Sequence, residues 1–506
     1  MSCHDAVYAE PTAMVQTQLS SSRHLTSHDS TSTVGSMKFF GRHRELKVLE
    51  DTLAASGSAF VPLYGRRRVG KSALLLQFLK QRRGIYFVGK QAPAGLQRKE
   101  FLEVAARALD EPLFAEMTLD SWGRALELLV TRWRGPDKLI IVLDEFQWMV
   151  EESPELPSVL QELWDRAWRS SGQVILILCG SYVGFMEREV LGRKSPLFGR
   201  RTAQIQLRPF GYRESREFHS QYSLSDAACS YFVCGGIPQY LLSFESGSSF
   251  EMNLKRQVLS EFAPLYNEPD FLLREELRDL HNYHAILTAL ASGSAPSPEL
   301  ARRTGIAERS VSYYLTQLVE LGYLRRRYPL TDSPRLARHV RYTLDDPLLR
   351  FWFRFVFPNR SSLAQLGPDE GFRQLVKPQL EAFFGRCFEL LCQEAMPWLY
   401  QRGRIETAFE IGEYWDKQMQ IDLVGLRADH WTDLGECKWG PVSSLPKLAQ
   451  ELERKVGSYP NKRNATIGRH LFVRTRPRKN QIAGVQIHDL EDLYDGATAP
   501  GGERPD

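Results

Sequence analysis

The sequence predicts an α/β protein of several domains, and three features of the chain lead to this expectation. Short apolar segments typical of buried strands alternate with segments of helical periodicity in the first half of the chain, as in FVPLY, GIYFVG, KLIIVLDE and QVILILCGS. A glycine-rich turn joins the first of these strands to the next helix. The length of 506 residues is more than one hydrophobic core usually organises. We therefore expect a parallel sheet with helices on both faces, followed by further domains.

The composition is ordinary for a folded chain without membrane segments. Apolar residues make up 43% and charged residues 25% of the sequence, and no apolar run reaches the roughly 18 residues that cross a bilayer. The net charge of +4 is too small to indicate a polyanionic partner by itself, although arginine clusters at 66–68 and 325–327 provide local positive charge. The seven cysteines lack the spacing of common zinc sites, so we expect reduced, buried thiols and a cytoplasmic location.

The chain divides into segments of different pattern. Residues 1–36 are rich in Ser, Thr, His and Gln but lack the apolar centre of a signal peptide, and we expect Met37, directly before the first patterned segment, as an alternative start. The predicted segments are a disordered leader (1–36), a strand-and-helix core (37–210), a helical lid (211–275), a three-helix module with a hairpin (276–345), a linker helix (346–365), a last α/β domain (366–495) and a disordered tail (496–506).

The glycine-rich turn GRRRVGKS has the pattern GxxxxGK[ST] between a predicted strand and a predicted helix. Glycines let such a loop turn its backbone N–H groups toward phosphates, and the following helix adds the positive end of its dipole. We expect Lys71 to neutralise the β- and γ-phosphates of ATP and Ser72 to offer its hydroxyl to Mg²⁺. The predicted nucleotide-binding residues of this loop are Gly65, Arg66, Arg67, Arg68, Val69, Gly70, Lys71 and Ser72.

Two acids follow the apolar strand LIIVLDE, where the carboxyl end of a buried strand meets the ligand edge of a sheet. Asp144 is expected to bind the nucleotide site's Mg²⁺ together with Ser72. Glu145 is expected to polarise the attacking water, because positioning and charge neutralisation dominate phosphoryl transfer. The sequence therefore predicts an ATPase that uses ATP and Mg²⁺.

Two further features flank this predicted site. Ser181 ends the strand QVILILCGS, where it is expected to hydrogen-bond the γ-phosphate or the water, the alternative being a simple turn residue. Arg200 and Arg201 in SPLFGRRTA are candidates for an arginine finger that reaches the γ-phosphate of a neighbouring subunit, the alternative being a surface arginine pair. The finger interpretation predicts a homo-oligomer.

The segments GRRRVGKS, LIIVLDE, LCGS, PLFGRRTA and GGIPQYL together resemble the AAA-type ATPases of archaea and bacteria, near the STAND-like branch of signalling ATPases. The resemblance covers residues 39–274. It implies an AAA-type P-loop core with a helical lid, in which Gly235, Gly236 and Pro238 couple the lid to the nucleotide.

The segment that begins at His281 predicts three helices and a two-stranded hairpin, the outline of a winged helix. Its third helix, ERSVSYYLTQLVELGYL, carries an apolar stripe formed by Val311, Leu315, Leu318 and Leu321. The opposite face would read DNA through Arg309, Ser310, Ser312, Tyr313 and Gln317, with backbone contacts from arginines 325–327. Binding of a protein partner is the alternative, since a fold alone does not fix function.

The last domain combines acids from a helix and two strands. Glu389 lies on the predicted helix LEAFFGRCFELLCQEA, and Asp422 is expected near the end of the strand WDKQMQIDLVGL. Glu436 and Lys438 in HWTDLGECKWG are two residues apart on a strand and therefore share a face. The segments GxxFE, IDLVGL and GECKW resemble the PD-(D/E)XK nuclease domains that are fused to ATPases of this kind, over residues 376–489.

This second resemblance implies catalytic roles for Glu389, Asp422, Glu436 and Lys438, with Asp422 and Glu436 as Mg²⁺ ligands. The alternative is an ordinary sheet face with salt-bridged side chains. Two hypotheses follow for the whole chain. One is an ATP-gated nuclease acting on DNA, in defence or DNA processing, and the other is an ATP-dependent switch whose last domain binds nucleic acid or a protein partner without cleavage.

Overall fold

A computed structural model of the chain describes residues 39–331, 340–477 and 481–495. The predicted leader at 1–36, the alternative start at Met37 and the predicted tail at 496–506 lie outside the described residues. The chain forms two compact units. The first unit holds the described residues up to Arg67 and Lys71–Leu207, and the second unit holds Arg68–Gly70 and the described residues from Arg208 onward.

One parallel sheet organises the first unit. Its strands pair in the order β2-β3-β4-β1-β5. Three of them, β1, β3 and β4, are buried along their whole length, as their runs of Val, Ile and Leu predict. The strands are β1 Ala59–Tyr64, β2 Gly84–Val88, β3 Leu139–Asp144, β4 Val174–Gly180 and β5 Ile205–Gln206. The predicted α/β class with a parallel sheet is confirmed.

The strand order decides where a ligand site lies in this unit. Because β4 lies between β1 and β3, the carboxyl ends of these three strands meet at one edge. Ligands bind at this edge in open α/β sheets. The sheet is therefore expected to bring the loop after β1, the acids after β3 and the serine after β4 together.

Helices surround this sheet. The rings of Phe87, Phe101 and Trp122 meet edge to face between β2 and two of the helices, and such aromatic contacts add to the energy of apolar burial. The helices are α1 His43–Ala54, α2 Lys71–Leu79, α3 Ala94–Leu109, α4 Leu113–Glu116, α5 Trp122–Arg132, α6 Phe146–Glu152, α7 Leu156–Leu163, α8 Arg169–Ser171 and α9 Val183–Phe185, with π-helical turns at Trp164–Trp168 and Met186–Val190.

The second unit begins with a helical stretch. Its helices are α10 Tyr212–Ser215, α11 Leu224–Cys234, α12 Pro238–Ser243, α13 Phe250–Leu254 and α14 Glu268–Glu276, with a 3-10 turn at Arg216–His219 and a π-helical turn at Lys255–Leu259.

Three helices and a hairpin follow in the same unit. They are α15 Leu280–Ala291, α16 Ser297–Thr304, α17 Glu308–Glu320, β6 Leu324–Arg327 and β7 Arg341–Leu344, and the two strands pair antiparallel. Val311, Leu315 and Leu318 of α17 are buried, while Leu321 after the helix is half-buried. The apolar stripe of α17 therefore faces the core of this module.

A second sheet lies near the end of the chain, with the strand order β12-β11-β10-β9-β8. β8, β9 and β10 pair antiparallel, and β10, β11 and β12 pair parallel. The strands are β8 Phe409–Trp415, β9 Gln420–Arg427, β10 Trp431–Lys438, β11 Thr466–Val473 and β12 Gln486–His488. The helices are α18 Pro347–Phe351, α19 Arg360–Gly371, α20 Lys377–Arg402, α21 Leu445–Ser458 and α22 Leu490–Tyr494, with π-helical turns at Trp352–Val356 and Phe372–Val376 and a 3-10 turn at Phe357–Asn359.

The position of Asp422 within its strand corrects the sequence prediction. Asp422 is the third residue of β9 and does not end a strand. The carboxylate of Asp416 accepts hydrogen bonds from the backbone N–H groups of Gln418 and Met419, which closes a turn before β9. Asp422 therefore follows the turn of the β8–β9 hairpin.

Two further predictions concern membrane segments and thiols. Within the part of the chain that the structure describes, each helix is too short or too polar to cross a bilayer. The cysteines in that part are free and buried, namely Cys179, Cys229, Cys234, Cys387, Cys392 and Cys437. This agrees with the expectation of buried thiols.

Candidate functional site

The loop between β1 and α2 is closed by its own lysine. Lys71 is the first residue of α2, and its buried ammonium donates hydrogen bonds to the carbonyl oxygens of Gly65 and Arg66, both at 3.0 Å. A Cβ at Gly65 would lie 2.1 Å from the carbonyl oxygen of Leu207, so only glycine fits there. Gly70 has a φ of 92°, which also favours glycine. Lys71 thus lies inside the loop, where a phosphate group would meet it.

Asp144 and Ser72 meet as the sequence predicts. Ser72 donates a hydrogen bond of 2.9 Å from Oγ to Oδ2 of Asp144, and Asp144 is almost fully buried at the end of β3. The backbone N–H of Glu145 donates to the other oxygen, Oδ1, at 2.9 Å. A hydroxyl and a carboxylate side by side are the hard oxygen donors that Mg²⁺ prefers, so the pair fits that ion.

Tyr86 also belongs to this site, although it was not predicted from the sequence. Its hydroxyl donates a hydrogen bond to Oδ2 of Asp144. Tyr86 lies on β2 opposite Val142 of β3, so the sheet brings it to the acid. Burial, and then the charge of Asp144, raise the pKa of Tyr86 well above its usual value, which keeps the hydroxyl protonated as a donor.

Glu145 is held by two neutral side chains. Ser181, buried after β4, donates a hydrogen bond of 2.6 Å from Oγ to Oε2 of Glu145. The side-chain amide of Gln147 donates to the same oxygen and to Ser181 Oγ, the latter at 3.3 Å. Glu145 itself has a φ of 48°, a left-handed conformation that is uncommon for glutamate and clusters at functional sites. The structure thus brings Ser181 to Glu145 and adds Gln147, which the sequence analysis did not single out.

The arginines of the phosphate loop differ in their surroundings. Arg66 and Arg67 are half-buried, and Val69 between the arginines and Gly70 is fully buried. Arg68, in the second unit, pairs with the buried carboxylate of Glu268. Arg68 therefore already has an ionic partner within the second unit.

The two candidate finger residues are placed differently. The guanidinium of Arg200 contacts both oxygens of Asp165, at 2.9 Å and 2.6 Å, and also the carbonyl oxygen of Pro196 at 2.7 Å. Arg201 is exposed. Because the donors of Arg200 bind within its own unit, Arg201 is the better placed of the two for contact with another subunit.

Gly235 and Gly236 have a packing reason to be glycine. A Cβ at Gly236 would lie 1.8 Å from the carbonyl oxygen of Phe210, and a Cβ at Gly235 would lie 2.9 Å from the ring of Pro347. Pro238 begins α12. The coupling of these three residues to nucleotide stays a prediction.

The predicted recognition surface lies on α17. Arg309, Ser310, Ser312 and Tyr313 are exposed, and Gln317 is half-buried. On β6, Arg325 and Arg326 are exposed, as expected for contacts to a DNA backbone. Arg327 corrects the prediction: it is buried, because its guanidinium pairs with Glu413 of β8.

Three acids of the last domain form what we call the acid cluster: Glu389 on α20, Asp422 on β9 and Glu436 on β10. Burial, and then the charges of Glu389 and Glu436, raise the pKa of Asp422 to about 8. Burial also raises the pKa of Glu389. The three predicted acids are therefore close enough to repel one another.

Two lysines and one arginine neutralise part of this cluster. Lys438 Nζ lies 3.2 Å from Oε1 of Glu436, and Lys455 Nζ on α21 lies 2.6 Å from Oε2. Arg386 pairs with Glu389 on the same helix. Lys455 was not predicted from the sequence, because it lies on a separate helix. Its sequence context shows only that it lies on an amphipathic helix after β10, the strand that carries Glu436 and Lys438.

The fit of a metal ion to the cluster is mixed. Carboxylate oxygens suit Mg²⁺, and the mutual repulsion at Asp422 favours a cation. Both oxygens of Glu436, however, already face lysines. Within residues 39–331, 340–477 and 481–495, no three His, Cys, Asp or Glu side chains are grouped as a ready metal site.

The first unit has the features of a P-loop nucleotide-binding fold. These features are a phosphate-type loop after β1, an acid pair after β3 and a serine after β4. Residues 39–244 match the family described as an ATPase domain predominantly from Archaea. The chain thus contains an ATPase domain that binds nucleotide. The ATPase part of the resemblance drawn from the sequence is confirmed.

Two other parts of the chain each match a protein family. Residues 284–327 match the IclR helix-turn-helix domain. Residues 352–449 match archaeal and bacterial proteins of unknown function. The second match covers much of the last domain and assigns it no activity.

Three similar proteins from archaea illustrate the likeness. An uncharacterized protein of Methanocaldococcus jannaschii is 29% identical over 423 residues, which cover 82% of this chain and 91% of the relative. A Walker-type ATPase of Pyrococcus abyssi is 23% identical, with a TM-score of 0.48 over 62% of this chain and 96% of that structure. The ORC2 protein of Aeropyrum pernix, solved in complexes with ADPNP and ADP, is 16% identical, with a TM-score of 0.40 over 64% of this chain and 95% of that structure.

Proposed function

We propose that ATP binding and hydrolysis in the first unit control a nucleic-acid-binding second unit that ends in a nuclease-like domain. The observation that carries the ATP part is the meeting of Ser72, Asp144, Glu145 and Ser181 at one edge of the parallel sheet. This edge lies directly beside the loop that Lys71 closes.

Lys71 would exchange its two carbonyl contacts for the β- and γ-phosphates of ATP. Ser72 and Asp144 would hold Mg²⁺, which neutralises charge on the transferred phosphoryl group. Glu145 would orient the attacking water, and Ser181 with Gln147 would fix that carboxylate. Hydrolysis then depends on a pre-positioned carboxylate.

The helix-turn-helix module is proposed to bind duplex DNA. The exposed polar face of α17 supports this role, since Arg309, Ser312 and Tyr313 stand clear of the module's core. A helix of this kind places such side chains at base edges and phosphates. Arg325 and Arg326 on β6 add positive charge at the adjacent hairpin.

The last domain is proposed to act as a Mg²⁺-dependent nuclease. Support comes from the convergence of Glu389, Asp422 and Glu436 from one helix and two neighbouring strands, with Lys438 beside them. Asp422 and Glu436 would hold the ion. When bound, the ion would polarise a phosphate group and activate a water molecule. Lys438, whose side chain is 43% exposed, has room to turn from Glu436 toward a phosphate.

A second candidate function, binding without cleavage, has an observation in its favour. Both carboxylate oxygens of Glu436 contact lysines, and the side chain of one of these, Lys455, is only 12% exposed. The two lysines neutralise Glu436, and the same lysines could hold the phosphate backbone of a nucleic acid by charge-assisted hydrogen bonds. In that case the second unit is a clamp that the ATPase controls.

We also propose that the chain works in the cytoplasm as a homo-oligomer. The buried free thiols support a reducing compartment, and the exposed Arg201 supports contact with a neighbouring nucleotide. ATP turnover per chain should rise with protein concentration, and Arg201→Ala should remove that rise. A turnover that is constant with concentration would contradict the oligomer.

The experiment that tests the proposal is cleavage of labelled linear, circular and single-stranded DNA with Mg²⁺ and ATP. Native protein is compared with Glu436→Ala and Glu145→Gln. Cleavage that is lost in both variants supports an ATP-gated nuclease. Binding of DNA with intact ATP turnover and no cleavage by the native protein supports the clamp instead. No ATP turnover by the native protein would overturn the proposal.

A further inference from the structure

A polar network centred on the buried side chains of Arg327 and Glu413 joins the hairpin of the helix-turn-helix module to the acid cluster. Arg327 is the last residue of β6, and only 9% of it is exposed. Its Nε lies 2.9 Å from Oε1 of Glu413 on β8, and its Nη2 donates to Oε1 of Gln393 on α20 at 2.7 Å. One guanidinium therefore contacts both elements that flank the cluster.

The first branch of this network reaches Asp422. Gln393 uses its carbonyl oxygen to accept from Arg327, and its amide donates to the backbone carbonyl oxygen of Asp422 at 2.6 Å. An amide that is bonded at both ends has a fixed orientation. The backbone at Asp422 is thus tied to β6 through a single side chain.

The second branch reaches Glu389. The other oxygen of Glu413, Oε2, lies 3.5 Å from Nη2 of Arg386, and Arg386 pairs with Glu389. Positive and negative charges therefore alternate along this branch. Arg327 faces Glu413, Glu413 also faces Arg386, and Arg386 faces Glu389. Removing Glu413 would leave the buried guanidinium of Arg327 without its carboxylate partner, which is strongly unfavourable.

The backbone beyond β6 reinforces the same connection. The N–H of Leu330 donates to the carbonyl oxygen of Glu413 at 2.7 Å, and the hydroxyl of Tyr459 donates to the carbonyl oxygen of Leu330 at 3.1 Å. The Leu330 side chain packs in the apolar core with Ile421 and Leu434 of β9 and β10. A displacement of the hairpin is therefore passed to the strands that carry the cluster.

We propose that Arg327 is a positioning residue that couples the acid cluster to occupancy of the hairpin by duplex DNA. The inference rests on the proposed DNA binding. DNA held by the exposed Arg325 and Arg326 pulls on the strand whose next residue is Arg327. Glu413 and Gln393 transmit that change to Glu389 and Asp422, so the second unit presents its cluster in one geometry when DNA is bound and in another when it is not.

Hydrogen exchange of the full chain tests this inference, with and without a labelled duplex of random sequence. The readout is the exchange of backbone amides in α20, β9 and β10, including the N–H of Cys437, which donates to Oδ2 of Asp422 at 3.0 Å. Arg327→Lys keeps the charge but loses the forked contact with Glu413 and Gln393. Gln393→Leu cuts only the branch to Asp422. Arg476→Lys alters another arginine–carboxylate pair of the same domain and is the matched control.

The native chain and the Arg476→Lys variant should both show a change in exchange at β9 and β10 on duplex binding. Arg327→Lys should bind the duplex with comparable affinity and lose that change, and Gln393→Leu should lose it at β9. Duplex binding that leaves β9 and β10 unchanged in the native chain, or a change that persists in both variants, overturns the inference alone. A native chain that does not bind the duplex overturns the proposed DNA binding and the inference together.

Discussion

The hydroxyl of Ser181 donates a hydrogen bond of 2.6 Å to Oε2 of Glu145, so the residue after β4 touches the acid after β3. Gln147 donates to the same oxygen. Both donors are neutral, which fixes the carboxylate without cancelling its charge. A fixed and charged carboxylate at the ligand edge of the sheet is what orientation of an attacking water requires.

Glu145→Gln should keep nucleotide binding and lose hydrolysis. An amide cannot accept a proton, and general-base contributions of this kind are worth roughly 100-fold or more in rate. The measurement is steady-state ATP turnover alongside the affinity for a fluorescent ATP analogue. Glu151→Gln, which changes an exposed acid on α6, the helix that follows Glu145, is the matched control and should turn over ATP at the native rate. Turnover within a few-fold of native in Glu145→Gln would remove Glu145 from the mechanism.

Ser181→Ala should reduce turnover less than Glu145→Gln does, by about tenfold, because the loss of one hydrogen bond to a charged group is worth on the order of 1.5 kcal/mol. The double variant should be no slower than Glu145→Gln alone, since the serine acts through that carboxylate. Turnover measured for the four proteins forms a double-mutant cycle. Additive effects would show that Ser181 contacts the nucleotide or the water independently.

Lys71→Ala should weaken ATP binding by about 10-fold to 100-fold, because hydrogen bonds to a charged group are worth about 1.5–3 kcal/mol. Without Lys71 the carbonyl oxygens of Gly65 and Arg66 also lose their donor. Equilibrium titration with the fluorescent analogue measures the change. Lys80→Ala, an exposed lysine just beyond the same helix, should bind like the native chain. Native affinity in Lys71→Ala would contradict the assigned phosphate site.

The residues proposed for the nucleotide site could be named from the sequence because their signals are local. Lys71 and Ser72 follow a glycine pattern within one loop, and Asp144 and Glu145 end one apolar strand. Strand alternation then implied that both lie at the same sheet edge. Tyr86 escaped prediction because its contact with Asp144 spans 58 residues and depends on which strands are neighbours. Periodicity shows which face of a strand is buried but not which strand lies beside it.

The second unit shows the same limit more strongly. Arg325 to Arg327 look alike in sequence, yet Arg327 is buried because Glu413, on a different strand, neutralises it. Lys455 likewise meets Glu436 only because α21 returns across the sheet between β10 and β11. A charged residue is buried when a partner from elsewhere pairs with it, and no local pattern records that partner.

Arg309→Ala should weaken duplex binding and flatten its dependence on salt. Each phosphate contact that is lost reduces the slope of log affinity against log salt by about 1. Fluorescence anisotropy over a series of salt concentrations gives both quantities. Arg373→Ala removes an exposed arginine that pairs with Glu370 outside the helix-turn-helix module and should leave affinity and slope unchanged. An unchanged slope in Arg309→Ala would place the duplex elsewhere.

Lys455→Met and Lys438→Met should differ in stability although both remove a partner of Glu436. The Lys455 side chain is 12% exposed, so its loss leaves a buried carboxylate poorly paired, at a cost of up to about 3–5 kcal/mol. The Lys438 side chain is 43% exposed, and loss of such a pair costs about 1 kcal/mol or less. Urea denaturation of both variants measures the difference, with Lys438→Met as the matched control. Equal midpoints would contradict the structural role of Lys455.

Asp422→Asn should stabilise the chain in the presence of a chelator, by an amount that grows as pH rises from about 4 toward 8. The pKa of Asp422 is raised to about 8 by burial and by Glu389 and Glu436, whereas an unfolded aspartate ionises near pH 4. Between these values the folded state holds a proton that the unfolded state has lost, so the stability of the native chain falls as pH rises, by at most about 1.4 kcal/mol per pH unit. Asparagine does not ionise, so the variant escapes this loss.

Thermal melting of native and Asp422→Asn chains at several pH values tests this sign. A difference in melting temperature that shrinks with rising pH would contradict the charge crowding in the acid cluster. The same experiment with added Mg²⁺ separates the two candidate functions. If Asp422 and Glu436 hold the ion, Mg²⁺ stabilises the native chain and not the variant, because the ion pairs with carboxylates that otherwise repel. If the cluster is a phosphate clamp, the lysines already supply the counter-charge and Mg²⁺ leaves the difference between the two chains unchanged.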